Sequence, residues 1–163
     1  EGRNALWLAQ KGWRVTAVDF SQVALDRGWQ MAESRGLAVE WVAADVLEWT
    51  PPARAFDLVA VAYLQLAHSQ LCPVLRRAAE AVADGGVLVV VGHDSTNLTE
   101  GYGGPANPAL LFSPEDVVAE LGGLRVERAD RVRRPVETDH GERVAIDALV
   151  RAVRDRHATL DVS

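Results

Sequence analysis

Apolar residues follow two different spacings along the chain, and the spacings alternate. Recurrence every three or four positions predicts four helices, at 3–11, 22–35, 69–83 and 114–121. Short β-branched or fully apolar runs predict six strands, at 14–18, 39–43, 57–62, 87–92, 124–129 and 143–150. Turn-forming residues separate the elements; Asp84-Gly85-Gly86, for example, is expected to end the third helix.

The last two predicted strands have no helix between them. A polar link containing Pro135, Asp139 and Gly141 joins them, which favours an antiparallel hairpin at a sheet edge. Before them, residues 94–112 are rich in Gly, Pro, Asn and Thr. A segment of this length without regular structure is more often a functional lid than a packing device, and we expect the lid at 97–107.

Strands that alternate with helices predict an α/β fold of the Rossmann-like, doubly wound type. Its sheet should be mostly parallel, with the antiparallel hairpin at the C-terminal end. We expect one domain over residues 1–155 and a flexible tail over 156–163.

The amino-acid composition limits the classes of partner that this protein is expected to bind. The 163 residues carry 17 basic and 23 acidic side chains, a net charge of −6, which repels nucleic acid and anionic membranes and favours a small-molecule partner. The single cysteine, Cys72, excludes an internal disulfide and offers no cysteine pair for a metal. No apolar run is long enough to span a bilayer. We therefore expect a soluble, cytoplasmic protein without a metal, whose oligomeric state remains open.

Two acids end neighbouring predicted strands. Ligands of doubly wound sheets bind outside the carboxyl ends of the strands. Asp19 lies seventeen positions after Gly2, close to the spacing at which a carboxylate meets the ribose hydroxyls of a nucleoside. Asp45 could meet an adenine amino group, with Val46 against the ring face, although an acid in an exposed turn explains Asp45 nearly as well.

Three motifs resemble those of the class I S-adenosylmethionine-dependent methyltransferases. Glu1-Gly2-Arg3-Asn4 is similar to the end of their glycine-rich turn, Val18-Asp19-Phe20-Ser21 to their ribose motif, and Ala44-Asp45-Val46 to their adenine motif. Within the family, Gly2-Arg3-Asn4, Tyr63-Leu64-Gln65-Leu66 and Val91-Gly92-His93-Asp94 most resemble the bacterial tellurite-resistance-type and thiopurine-type small-molecule enzymes. The resemblance implies S-adenosylmethionine as cofactor, with Gly2, Asn4, Asp19, Phe20, Asp45, Val46 and Tyr63 as its binding residues.

The resemblance also implies that a first strand and the start of the glycine turn precede Glu1, so that the domain is incomplete at its N-terminus. The expected activity is methyl transfer to a small-molecule nucleophile. The sulfonium is already activated, so the protein mainly places the nucleophile, with a base only where the nucleophile arrives protonated. His93 and His68, with Asp94, are the candidate bases, although a histidine of purely structural role is more common.

Two other functions remain open at this point. A degenerate methyltransferase fold could serve as a non-catalytic interaction module. A nicotinamide-dependent reductase shares the ribose acid but usually needs a Tyr-x-x-x-Lys donor set, and the sole lysine, Lys11, lies in the first predicted helix. A nucleic-acid methyltransferase would be expected to have an Asn/Asp-Pro-Pro-aromatic turn where Tyr63-Leu64-Gln65-Leu66 stands.

Overall fold

The computed structural model describes residues 2–156, so the predicted tail lies outside the described residues except for Arg156. The described chain forms two compact units that divide between Thr50 and Pro51. No helix within residues 2–156 is long and apolar enough to cross a membrane.

The first unit is a βαβ arrangement preceded by a helix. Its elements are α1 (Arg3–Gln10), β1 (Val15–Asp19), α2 (Gln22–Ser34) and β2 (Val39–Ala43). The two strands are parallel, with Val15 opposite Val39 and Asp19 opposite Ala43. The Ser21 hydroxyl caps α2 by accepting from the backbone N–H of Ala24.

The buried face of α2 differs from the predicted one. The spacing of Leu25, Trp29 and Ala32 at positions i, i+4 and i+7 predicts that all three face the core. Trp29 is instead 52% exposed, and Gly28 takes its place. A Cβ atom at Gly28 would lie 2.6 Å from the ring of Trp41, so only glycine lets this ring pack against the helix. The spacing was correct, but it could not show which of two adjacent residues faces the core.

The second unit is a four-stranded mixed sheet with helices. Its elements are β3 (Phe56–Ala62), α3 (His68–Ala81), β4 (Val82–His93), α4 (Asn97–Glu100), a 3₁₀ turn (Pro108–Leu110), α5 (Pro114–Val118), β5 (Arg125–Thr138) and β6 (Gly141–Val153). The strand order is β3-β4-β6-β5. β3 and β4 are parallel, while β6 runs antiparallel to both β4 and β5. The predicted α/β class and the C-terminal hairpin are confirmed.

Two boundaries in this unit differ from the predicted ones. Asp84-Gly85-Gly86 does not end α3 but lies inside β4, where the pairing with β3 jumps from Phe56–Val82 to Leu58–Val87. Gly85 has a φ of +81°, and a Cβ atom at Gly86 would lie too close to backbone oxygen atoms. These two glycines therefore allow the irregular pairing at this point of the strand. α5 ends at Val118 rather than at 121.

The hairpin link is shorter than predicted, since only Asp139 and His140 separate β5 from β6. Pro135 belongs to β5 instead. Because β5 is an edge strand, a proline without an N–H and several charged side chains are tolerated there.

The core of the second unit lies between α3, α5 and one face of the sheet. Its largest fully buried side chains include Leu75, Leu88, Val90, Val117 and Val150. This apolar layer fixes the strand ends that carry the polar site described below.

The segment expected to be an irregular lid is anchored at its start. Asn97 is only 2% exposed, and its side chain donates to the Gly103 carbonyl (2.8 Å) and accepts from the Ile146 N–H (2.7 Å). The Asn97 amide therefore ties the glycine-rich segment, residues 101–107, to β6.

We expect Asn97→Ala to lower the free energy of unfolding by about 2 kcal/mol, because it leaves a buried N–H and a carbonyl without partners. Urea unfolding measures the change. Thr99→Ala in the same short helix, where the side chain is exposed, is the control and should change stability by under about 0.5 kcal/mol. Equal effects of the two substitutions would contradict the anchoring role of Asn97.

Candidate functional site

Four polar side chains, three from strands and one from the residue after a strand, meet at one place in the second unit. They are Tyr63, which follows β3, His93 at the end of β4, Arg134 in β5 and Asp147 in β6, and we call them the His93 cluster. His93 and Asp147 are directly opposite each other in the antiparallel β4–β6 pair. The sheet register, rather than any loop, brings them together.

Asp147 is the centre of the cluster. It is 1% exposed, and its Oδ2 accepts from Arg134 Nε at 2.6 Å and from the Tyr63 hydroxyl at 2.9 Å. Its Oδ1 lies 3.3 Å from Arg134 Nη2 and 3.4 Å from His93 Nδ1. A buried carboxylate is costly unless it is paired in this way.

Tyr63 is held in an unusual backbone conformation. Its φ is +53°, which a non-glycine residue rarely adopts, and its N–H donates to the Val91 carbonyl at 2.7 Å. The ring centroids of Tyr63 and His93 are 5.2 Å apart, and the Arg134 guanidinium lies 5.5 Å above the Tyr63 ring. Such strain is typical of functional sites.

The environment of His93 favours the neutral imidazole. Burial lowers the pKa of His93 below 6.5; the nearby Asp147 carboxylate opposes this shift, and Arg134 adds to it. Nδ1 is buried and makes no hydrogen bond within the described residues. Burial also raises the pKa of Tyr63, with Asp147 acting in the same direction, so the phenol keeps its proton and remains a donor.

The glycine-rich segment lies against His93. A Cβ atom at Gly104, whose φ is +80°, would sit 2.9 Å from the imidazole ring. Only a glycine allows the backbone to approach this closely. The residues predicted as a lid therefore cover one side of the candidate base.

Asp94 is held in a separate ion pair. It is fully buried, and its Oδ1 accepts from the N–H and hydroxyl of Thr96 and from Arg131 Nε. Arg131 in turn makes two hydrogen bonds to Glu115. Asp94 Oδ2 has no partner among the described residues. Through these bonds Asp94 holds the end of β4 in place.

His68, the other candidate base, occupies a different environment. It is the exposed first residue of α3, and its charged neighbour is Glu120, which also pairs with Arg76. The structure records no contact between His68 and the His93 cluster within residues 2–156.

The predicted cofactor residues other than Tyr63 lie in the first unit. Asp19 ends β1, Asp45 comes two residues after β2, and because the strands are parallel both acids lie at the same sheet edge. Gly2 precedes α1 with a φ of +78°, and a Cβ atom there would meet the Trp41 ring. Asn4 is exposed on α1.

The acids of the first unit fit a nucleoside. Asp19 Oδ1 accepts from the Ser21 N–H at 2.9 Å, while Oδ2 receives no hydrogen bond within the described residues and could take ribose hydroxyls. Phe20 beside it is 81% exposed. Asp45 is exposed, with Oδ1 fixed by the Leu47 N–H at 2.9 Å, and Val46 is partly buried.

Sequence reasoning missed Asp147 and Arg134. Asp147 interrupts an otherwise apolar strand, Val144-Ala-Ile-Asp-Ala-Leu-Val150, and a lone acid in such a run signals a buried, paired charge. Arg134 carried no signal of its own, because β5 contains four other arginines.

A family model described as a methyltransferase domain matches residues 1–86, more than half of the chain. The chain therefore belongs to this methyltransferase family. The membership confirms the resemblance read from the motifs, and S-adenosylmethionine is its cofactor. It favours neither the interaction module nor the reductase.

Solved structures show the same fold. A SAM-dependent methyltransferase from Methanosarcina mazei is 15% identical, over 96% of this chain and 89% of that chain, with a TM-score of 0.73. TehB from Haemophilus influenzae is 16% identical, over 94% and 54%, with a TM-score of 0.77. N-methyltransferase NodS from Bradyrhizobium japonicum WM9, in complex with S-adenosyl-L-homocysteine, is 23% identical, over 94% and 72%, with a TM-score of 0.69. A search of curated proteins gave no match. The Rossmann-like fold class is thereby confirmed.

We expect Asp19→Ala to weaken binding of S-adenosylhomocysteine at least about tenfold, because a charged acceptor for two ribose hydroxyls is lost. Calorimetric titration measures the dissociation constant. Asp26→Ala removes an exposed acid from α2 and should leave binding unchanged. An unaltered constant in the Asp19 variant would show that the ribose assignment is wrong.

The lowered pKa of His93 also predicts a pH dependence of stability. The unfolded chain takes up a proton as the pH falls through about 6.5, whereas folded His93 stays neutral until its lower pKa is reached. The free energy of unfolding should therefore fall over this window in the wild type. In His93→Gln that contribution should be absent. Urea unfolding at pH 7.5 and 5.5 tests this, and identical pH slopes for the two proteins would contradict it.

Proposed function

We propose that this protein transfers a methyl group from S-adenosylmethionine to a small-molecule nucleophile, with His93 as the general base. The observation that carries the proposal is the His93–Asp147 pair, at 3.4 Å, at the carboxyl end of β4. Ligands of this fold class bind at the carboxyl ends of strands.

The proposed cofactor-binding roles, apart from that of Tyr63, fall on residues of the first unit. Asp19 would hold the ribose hydroxyls, Asp45 the adenine amino group and Val46 the adenine ring, while Gly2 and Asn4 would lie along the glycine turn with Phe20 beside the ribose. When bound, the cofactor supplies a methyl group that its positively charged sulfur has already activated. In the second unit, the proposed role of Tyr63 is to frame the site next to His93.

His93 would remove the proton of the nucleophile. Nδ1 faces the carboxylate, so the tautomer with Nδ1–H directed at Asp147 leaves the Nε2 lone pair to accept a proton. A separation of 3.4 Å is long for a hydrogen bond, but such bonds are often loose before substrate binds. The lowered pKa keeps the ring neutral at pH 7, which a base requires.

A small-molecule acceptor is favoured by the charge distribution. Four of the five arginines of β5 are paired with acids: Arg125 with Glu127 and Asp155, Arg128 with Asp130, Arg131 with Asp94 and Glu115, and Arg134 with Asp147. The strand therefore offers little free positive charge for a phosphate backbone, in agreement with the net charge of −6.

His68 stays a second candidate base. Its exposed position beside Glu120 supports a catalytic role less well than the buried, strained surroundings of His93.

The proposal is tested first by binding and then by transfer. Calorimetric titration with S-adenosylmethionine, S-adenosylhomocysteine and NAD should show binding of the first two and none of NAD. Release of S-adenosylhomocysteine is then followed with a panel of amines, thiols, hydroxyl compounds and metalloid oxyanions. Binding without transfer to any of them would favour the interaction module.

With the acceptor found in this way, we expect His93→Gln to lower kcat about 100-fold and to leave the affinity for S-adenosylmethionine unchanged, because only proton removal is lost. Steady-state kinetics at pH 7.5 measure both. The control is His140→Gln, in the exposed hairpin turn. A kcat within twofold of the wild type would exclude His93 as the base.

A further inference from the structure

We propose that Arg134 is a positioning residue that keeps His93 in its neutral, proton-accepting form by neutralising and orienting Asp147. The inference rests on the proposed function for its meaning, since a base must be neutral to accept a proton. The proposed electrostatic effect itself involves only the four side chains of the His93 cluster.

The geometry shows how Arg134 controls the carboxylate. Both of its bonded nitrogens reach Asp147, Nε to Oδ2 at 2.6 Å and Nη2 to Oδ1 at 3.3 Å. Tyr63 adds a second donor to Oδ2 at 2.9 Å. Two points of contact fix the plane of the carboxylate, so Oδ1 is directed towards His93 Nδ1.

The same contacts reduce the attraction between Asp147 and a protonated His93. An unpaired Asp147 carboxylate at 3.4 Å would stabilise the protonated form of His93. The Arg134 guanidinium, which contacts both carboxylate oxygens, offsets the negative charge of Asp147. The pKa of Arg134 is raised, chiefly by its hydrogen bond to Asp147, so the arginine stays charged throughout the physiological range.

The other groups near His93 do not replace this effect. Asp94, the next residue in the chain, is paired with Arg131, and Tyr63 on the β3 side keeps its proton. The glycine-rich segment that covers the ring, residues 101–107, contains Tyr102 as its one titratable side chain. Arg134 is therefore the cation that balances Asp147.

A neighbouring arginine offers a matched control. Arg133 precedes Arg134 in β5, so its side chain points to the opposite face of the strand, and it is exposed. Arg133→Gln removes the same charge close by without touching the His93 cluster.

The experiment is a proton NMR titration of the histidine ring protons in the wild type, Arg134→Gln, Arg134→Lys and Arg133→Gln. His93→Gln identifies the His93 signal. We expect Arg134→Gln to raise the His93 titration midpoint by about one pH unit. Arg134→Lys, which restores the charge, should return most of that shift, and Arg133→Gln should behave as the wild type.

A His93 midpoint equal in Arg134→Gln and Arg133→Gln would overturn the proposal. So would an Arg134→Lys variant that shifts as far as Arg134→Gln. Thermal unfolding checks that each variant is folded; if Arg134→Gln is not, Arg134→Met, which keeps an apolar stem over Tyr63, takes its place.

Activity gives an independent readout. The acidic limb of the kcat/KM profile should move to higher pH in Arg134→Gln by the same amount as the NMR midpoint, whereas a purely structural role would lower the rate at every pH. The titration does not depend on methyl transfer. If the His93 midpoint is unchanged in Arg134→Gln while His93→Gln is inactive, the role of Arg134 is rejected and the proposed function is left intact.

Discussion

The second unit depends on the pairing of one buried carboxylate. Asp147 lies in the middle of an apolar strand and is 1% exposed, a position that costs several kcal/mol for an unpaired charge. Its partners are Tyr63 after β3, His93 of β4 and Arg134 of β5, so the full set of contacts requires these strands in register. The geometry of the site therefore depends on the pairing of the sheet.

This requirement accounts for the strain next to the site. Tyr63 holds a positive φ that its backbone would otherwise avoid, and its hydroxyl reaches Asp147 while its ring contacts His93 and Arg134. Asn97 and Gly104 serve the other side, where an anchored amide and a missing Cβ bring the backbone onto the imidazole. The result is a histidine surrounded by fixed neighbours, which is what an oriented base needs.

The two units carry different parts of the function. The acids at the ends of β1 and β2 are the proposed contacts to the nucleoside, and the family match over residues 1–86 includes this segment. Residues 87–163, beyond that match, contain His93, Arg134 and Asp147. The proposed cofactor contacts other than Tyr63 thus lie within the family match, and the proposed base and its partners lie beyond it.

The sequence by itself determined the class of fold, the order of its main helices and strands and the position of the acids at the strand ends, because these depend on local periodicity and on short motifs. His93 was also named as a candidate from the sequence, because it follows the apolar strand predicted at 87–92. Only the tertiary structure decided that Asp147 and Arg134 belong with it, that Gly28 rather than Trp29 faces the core, and that Asp84-Gly85-Gly86 lies within a strand. Each of these depends on a partner from another element, through strand register or a packed ring, and periodicity along one segment holds no information about that partner.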